Sequence, residues 1–387
     1  MKDKLTLFAA LIATHSISIG EIVINDHLSL EGFVDMSYAH LNKTINPVGS
    51  PGKKEEENNF RIDEIEISCL VEFEPVSAHL DLDYEEDGDD LEVKQAFVTF
   101  DFESMSADSA ITAGRYASML GFEAFVPTGL YQYSTAYGGS VINDLLASAT
   151  DVPLFFESVF FPIGERYTQG VRYTLEKGNT FLGISIQDST VIYENRFGEE
   201  NDSDNIPVDD GGHGIEVAYE YSFEYGLTFF LGGTYENGNG MNTPGQTTED
   251  AETYVFNTYV TFELGAWLFA AEFNFSETEV DKVSTLSGLN NQIESVTSLI
   301  MANYAYSERA SITGRISYME LDSAIEGGSG DLFNLDAFKY TTAHNYALTD
   351  NMFIIAELSY TEGDYKTSDT DGNLDELLAA AQLLFTF

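Results

Sequence analysis

The sequence predicts an all-β chain folded as a transmembrane antiparallel β-barrel of sixteen strands. Three observations carry this expectation. Apolar and polar residues alternate with a period of two along most of the chain. The joins between alternating segments are short and long by turns, as in a barrel with tight turns at one rim and long loops at the other. After the first twenty residues no run approaches the roughly 18–20 apolar residues of a spanning helix, so a chain that crosses a membrane must do so as a closed barrel.

The alternation is clearest at 266–279, where Trp267, Phe269, Ala271, Phe273 and Phe275 share one face and Ala270, Glu272, Asn274 and Ser276 the other. Val76, Ala78, Leu80, Leu82 and Tyr84 alternate with Ser77, His79, Asp81, Asp83 and Glu85 in the same way. Strands are expected at 27–41, 60–74, 75–86, 91–102, 109–117, 166–177, 179–190 and 212–224. Eight more follow at 227–237, 252–264, 266–279, 294–306, 309–321, 333–347, 351–363 and 374–387. Tight joins, such as Gly178, Tyr225-Gly226 and Gly265, alternate with long ones at 42–59, 118–165, 191–211, 238–251, 280–293, 322–332 and 364–373; 87–90 is a short exception. The last strand carries Leu377, Ala379, Ala381, Leu383, Phe385 and the terminal Phe387 on one face. Closing it against 27–41 removes an exposed apolar edge. An eighteen-strand alternative adds 129–137 and 153–161, on the aromatic alternation of Tyr131, Tyr133 and Tyr137.

Composition narrows the function. The formal charge of −48, from 17 Lys+Arg against 65 Asp+Glu, excludes nucleic acid as a partner, since phosphate binding needs a basic surface. A hydrophobic content of 43% with 28 Phe and 22 Tyr excludes disorder. The single Cys69 excludes a disulfide framework and a cysteine zinc site. Residues 1–20 read as a signal peptide: Lys2 and Lys4 precede an apolar run that closes on Ser18-Ile19-Gly20. The barrel domain is then 21–387.

Gly114-Arg115 followed by Leu120-Gly121-Phe122-Glu123, with the sixteen-strand layout and the terminal Phe, resembles the β-barrel porins of Gram-negative outer membranes, in a general-porin-like form. The resemblance covers the mature length. It implies an outer-membrane location among lipid and lipopolysaccharide, passive diffusion of small hydrophilic solutes and ions, and a homotrimer. It also implies that the connection at 118–165 folds inward and narrows the channel.

With apolar faces toward lipid, the lumen receives Glu31, Asp35, Glu64, Glu66, Glu72, Asp81, Asp83, Glu216, Glu220, Glu272 and Glu357, against Arg172, Arg315 and Lys339. Such a wall prefers cations, whether the acidity serves the channel or reflects an acidic proteome. Glu123, Asp144, Asp151, Glu157 and Glu165 are the constriction candidates on the loop. Arg115, Arg166 and Arg172 on the flanking strands, with Arg315 on the wall, are the candidates for the opposite charge. Glu272 is expected to meet water and to tolerate substitution, unlike Phe269 and Phe273.

Asp369, Asp371 and Asp375 around Gly372 resemble part of a calcium loop, and Asp202 and Asp204 begin a second acidic cluster with Asp209 and Asp210. Neither has the spacing of a helix–loop–helix calcium site, so weak calcium or magnesium binding, or a divalent bridge to lipopolysaccharide, is all they suggest. No other cofactor is indicated. The six histidines form no pair at metal-ligand spacing, and His344 has no nameable serine partner, so no catalytic residue and no enzyme is expected. Beside the cation-preferring porin stands one alternative, a structural or adhesive barrel with ion-binding acidic loops.

Overall fold

Sixteen strands satisfy one another's backbone groups around a complete ring, so the wall has no open edge. The computed structural model describes residues 20–85, 91–104, 106–123, 127–148, 163, 166–188, 212–239, 250–280, 291–325, 331–367 and 370–387. A short strand β1 (Ile22–Asn25) pairs with the start of β2 (Leu28–Pro47) and stands outside the ring count. The first half of the wall continues with β3 (Lys53–Phe73), β4 (Val76–Glu85), β5 (Leu91–Ser104), β6 (Ala107–Ala117), β7 (Tyr167–Lys177), β8 (Thr180–Asp188) and β9 (His213–Ser222). The second half is β10 (Leu227–Asn239), β11 (Asp250–Leu264), β12 (Trp267–Val280), β13 (Asn291–Ser307), β14 (Ala310–Ile325), β15 (Asp331–Thr349), β16 (Met352–Thr367) and β17 (Asp371–Thr386). Every neighbouring pair is antiparallel, and β17 closes on β2 with Phe385 opposite Val34 and Leu377 opposite Asn42. The terminal Phe387 exchanges two backbone hydrogen bonds with Gly32, of 2.9 and 3.0 Å, and completes the seam.

The phase of the alternation is the expected one. Phe269 and Phe273 are 40% and 42% exposed on the outer face, whereas Glu272 between them is 4% exposed and points inward. Aromatic rings mark both rims of the lipid-facing band. Trp267 stacks on Tyr304 near the tight-turn rim, and Tyr38 packs on Phe60 and Tyr318 on Phe338 toward the other. Such girdles sit at the two membrane interfaces of outer-membrane barrels. Gly178 and Gly265 occupy left-handed φ of +60° and +63° in two of the tight turns, a conformation that side chains resist.

The strands outrun the sequence reading mainly at the long-loop rim. Residues 42–59, expected as a connection, belong mostly to β2 and β3, which turn only around 48–52. A spanning strand needs about 9–11 residues, so these ends stand above the membrane, where both faces are polar and no apolar period announces a strand. The eighteen-strand alternative fails over its first added segment. Pro127–Gly129 forms a 3-10 turn, 131–137 is irregular, and α1 (Ser140–Ser148) follows. Its second segment, 153–161, and the expected signal peptide through residue 19 lie outside the described residues.

Candidate functional site

The described part of the connection between β6 and β7 folds into the barrel and packs on the inner wall. Its path is dictated by inward wall positions that are apolar and therefore need cover. Met119, Leu120 and Ile163 bury against Ala218, Phe230 and Val255 on β9–β11. Phe122, Tyr131 and Ala136 bury against Leu268, Ala270, Leu299 and Met301 on β12 and β13. Helix α1 presents Val141, Ile142, Leu145 and Leu146 on one face, and they dock on Met319, Leu321, Phe333, Leu335 and Leu374 of β14, β15 and β17. Gly183 and Gly232 make sockets for the loop root, since a Cβ there would lie 2.3 Å from Met119 Sδ and 2.5 Å from Leu120 Cδ2.

Wall carboxylates then take up the loop's backbone donors. Glu216 accepts Met119 N–H at 2.7 Å and the Ser118 hydroxyl at 2.6 Å. Glu272 accepts Phe122 N–H at 2.8 Å, Asn257 Nδ2 at 2.8 Å and the Tyr137 hydroxyl at 3.0 Å. Glu357 accepts the N–H and hydroxyl of Ser134, and Glu376 accepts Val141 N–H at 2.7 Å at the start of α1. In return Arg315 and Lys339 donate to the carbonyls of Ser134 and Thr135. A buried N–H left without an acceptor is costly, so these four glutamates anchor the loop. Glu272 faces the lumen as expected, but it meets loop backbone rather than open water, and the expectation that it tolerates substitution is corrected.

The charged candidates are sorted differently from the sequence expectation. Glu123 lies on the loop inside the barrel, pairs with Arg315, and accepts Gln132 Nε2 at 2.6 Å and Ala136 N–H at 3.0 Å. Asp144 on α1 pairs with Lys43 Nζ at 2.7 Å. Neither meets the three arginines proposed to face them. Arg115 donates to the Lys94 carbonyl and sits over the Tyr167 ring. Arg172 donates to the Ala117 carbonyl with its guanidinium 4.2 Å from the Tyr116 ring centre, and Arg166 pairs with Glu236 at 2.7 Å. These arginines hold the root of the loop, because the loop leaves β6 and re-enters β7 at their level and then crosses to the far wall. Asp151, Glu157 and Glu165 lie outside the described residues.

Sequence reasoning missed Lys43, Lys94 and Asp63. Lys43 continues the inward alternation of Leu41 and Ile45 beyond the expected end of its strand. Bulges hide the other two. Pairing steps from Asp81–Gln95 to Leu82–Val93 around Lys94, and from Asp35–Glu64 to Met36–Ile62 around Asp63, which breaks the period of two. The result is an acidic inner wall on β2–β4. Glu64 and Asp83 share Lys94 Nζ at 2.8 and 3.0 Å, Glu66 lies close by, and Asp81 binds His79 and Gln95. The Tyr133 hydroxyl, at the loop tip, reaches this wall at Asp63, 3.3 Å, and Ser37, 3.1 Å. Burial pushes that hydroxyl up to about 12, which keeps it a neutral donor.

The calcium-loop reading of 369–375 does not fit the fold. Asp371 and Asp375 are part of β17, four residues apart on an extended strand, roughly 13 Å at the strand rise, too far to share an ion. Asp375 stands opposite Glu362 on β16. Asp369, Asp202 and Asp204 lie outside the described residues.

A closed lipid-faced barrel with an inward-folded loop defines an outer-membrane porin. Residues 158–387 match the family described as Putative beta-barrel porin-2, OmpL-like, and the chain belongs to that family. It resides in the outer membrane of a Gram-negative-type cell. No curated protein matches the sequence. Among solved structures, OmpT of Vibrio cholerae aligns with a TM-score of 0.55 at 12% identity, over 95% of this chain and 100% of that one. The anion-selective porin from Comamonas acidovorans aligns with a TM-score of 0.51 at 11% identity, over 93% and 99%. Pseudomonas putida OprB aligns with a TM-score of 0.50 at 8% identity, over 92% and 94%. These similarities describe the fold.

Proposed function

We propose that this porin passes small hydrophilic solutes by diffusion and prefers cations, along a path beside the inward faces of β2–β5. One observation carries the reading. Six carboxylates, Asp35, Asp63, Glu64, Glu66, Asp81 and Asp83, stand on that wall, where Lys94 pairs with Glu64 and Asp83 and His79 with Asp81, while the described loop docks mainly on β9–β17. Charge held close to a narrow aqueous path sets the sign of the permeating ion. The anion-selective Comamonas porin has the same fold, so the fold leaves the sign open and the lumenal side chains must set it. The barrel assembles as a homotrimer in this reading, as one form of OmpT does, and chemical cross-linking in detergent checks it.

The three apolar clusters inside the lumen favour one second reading, a structural barrel that the loop plugs. Planar-bilayer recording of the purified protein separates the two. Stepwise channels with a cation-selective reversal potential support the porin; a folded barrel without conductance supports the plug.

A further inference from the structure

Where β17, β2 and β3 meet the loop tip, three buried acceptor oxygens have no donor. Asp35 is 2% exposed and Gln382 3%. Asp35 Oδ1, Gln382 Oε1 and Asp63 Oδ2 are sealed from solvent and accept no hydrogen bond among the described residues. The three side chains are neighbours. Gln382 Nε2 donates to Asp35 Oδ2 at 2.6 Å, and Gln382 stands opposite Ser37 across the barrel seam. Asp63 occupies the bulge beside Glu64, the residue opposite Asp35. Tyr133 closes the group from the loop, with its hydroxyl on Asp63 Oδ1 and beside Ser37 Oγ.

The adjoining acids differ in one respect. Glu64 and Asp83 have the Lys94 ammonium between them, whereas Asp35 and Asp63 have no lysine or arginine at ion-pair distance among the described residues. Two like charges side by side, with orphaned oxygens out of water, are unfavourable unless a cation or a proton joins them. The donors are all oxygen: two carboxylates and one amide carbonyl, with two hydroxyls adjacent. Such a set suits a hard cation, and donors drawn from three strands suit the irregular shell of calcium better than the strict octahedron of magnesium.

We propose that Asp35, Asp63 and Gln382 form a calcium-class divalent cation site in the barrel lumen, which ties β17, β2 and β3 together under the loop tip. Because Tyr133 bonds to one of the ligands, occupancy also fixes the loop tip against the wall.

The test uses the purified protein in detergent, stripped with chelator and dialysed against radioactive calcium. The expected result is one saturable ion in the native chain. Binding should weaken at least tenfold in Asp35→Asn/Asp63→Asn, weaken in Gln382→Leu, and stay unchanged in Asp371→Asn/Asp375→Asn. Heat-modifiable gel mobility shows which variants are folded. Should the double variant fail to fold, Gln382→Leu and a calcium-dependent rise in the unfolding temperature of the native protein decide the matter. Absence of saturable binding by the native protein, as when Asp35 holds a proton instead, overturns the site. So does binding that both lumenal variants leave intact.

Discussion

Glu272 and Phe273 are adjacent in the chain and have opposite surroundings. Phe273 faces lipid, and Phe273→Arg places a charge near the middle of the apolar band, at a cost of roughly 2–4 kcal/mol on a barrel's outer face. Folding yield into lipid vesicles, read by heat-modifiable mobility, should fall accordingly. Glu272→Ala leaves that face untouched and instead strands three donors, Phe122 N–H, Asn257 Nδ2 and the Tyr137 hydroxyl. A buried donor left without a partner costs about 1–3 kcal/mol, which is enough to loosen the loop root while the barrel persists. The expected outcome is a folded barrel whose loop becomes open to protease. Equal resistance to cleavage would mean that Glu272 does not hold the loop. The direction of each side chain was readable from the period of two, since lipid and lumen impose it on every strand. The partner of Glu272 was not, because it comes from a residue 150 positions away in the chain.

Among the elements, α1 shows most clearly what a local pattern reveals. Val141, Ile142, Leu145 and Leu146 recur at helical spacing, a signal present in the sequence but masked by reading the segment as part of a long connection. Leu321 and Leu335 were equally visible as apolar residues at the inward phase, where a channel wall should be polar. Only together do they announce a helix docked inside a barrel. The bulges at Asp63 and Lys94 were unreadable for a different reason: one extra residue reverses the phase without changing composition. The docking leads to a prediction. Leu145→Asp buries an unpaired carboxylate against Leu321 and Leu335, which is strongly disfavoured, so α1 should leave the wall. If the loop narrows the path, single-channel conductance rises while the barrel keeps its heat resistance. Unchanged conductance with a freed, protease-sensitive loop would show that the path runs elsewhere.

For the whole molecule, the question is which of its many carboxylates govern ion choice, and the net charge of −48 does not answer it. Of the five loop acids picked out from the sequence, the two among the described residues, Glu123 and Asp144, are matched by Arg315 and Lys43, so neutralising them exposes buried cations as much as it removes anions. The wall acids Glu66 and Asp81 are the better levers. A charge about 8 Å from a permeating ion changes its energy by roughly 0.5 kcal/mol even in a water-like dielectric, about twofold in local concentration. Cations and anions move in opposite senses, so the permeability ratio changes by roughly fivefold per carboxylate at low ionic strength. Acids at the outer mouth are screened within about 8 Å at physiological salt and should matter little there. Glu66→Gln/Asp81→Asn should therefore lower the cation-to-anion ratio well beyond the change from neutralising Asp202, Asp204, Asp209 and Asp210 together. Reversal potentials under a salt gradient, taken at low and high ionic strength, measure both. Salt should abolish the effect of solvent-exposed acids first, because charges in bulk electrolyte are screened within a Debye length, while charges beside a narrow path are screened less. Equal shifts from the two sets would place the selective step at the mouth, and a native preference for anions would remove the acidic wall from the account of selectivity altogether.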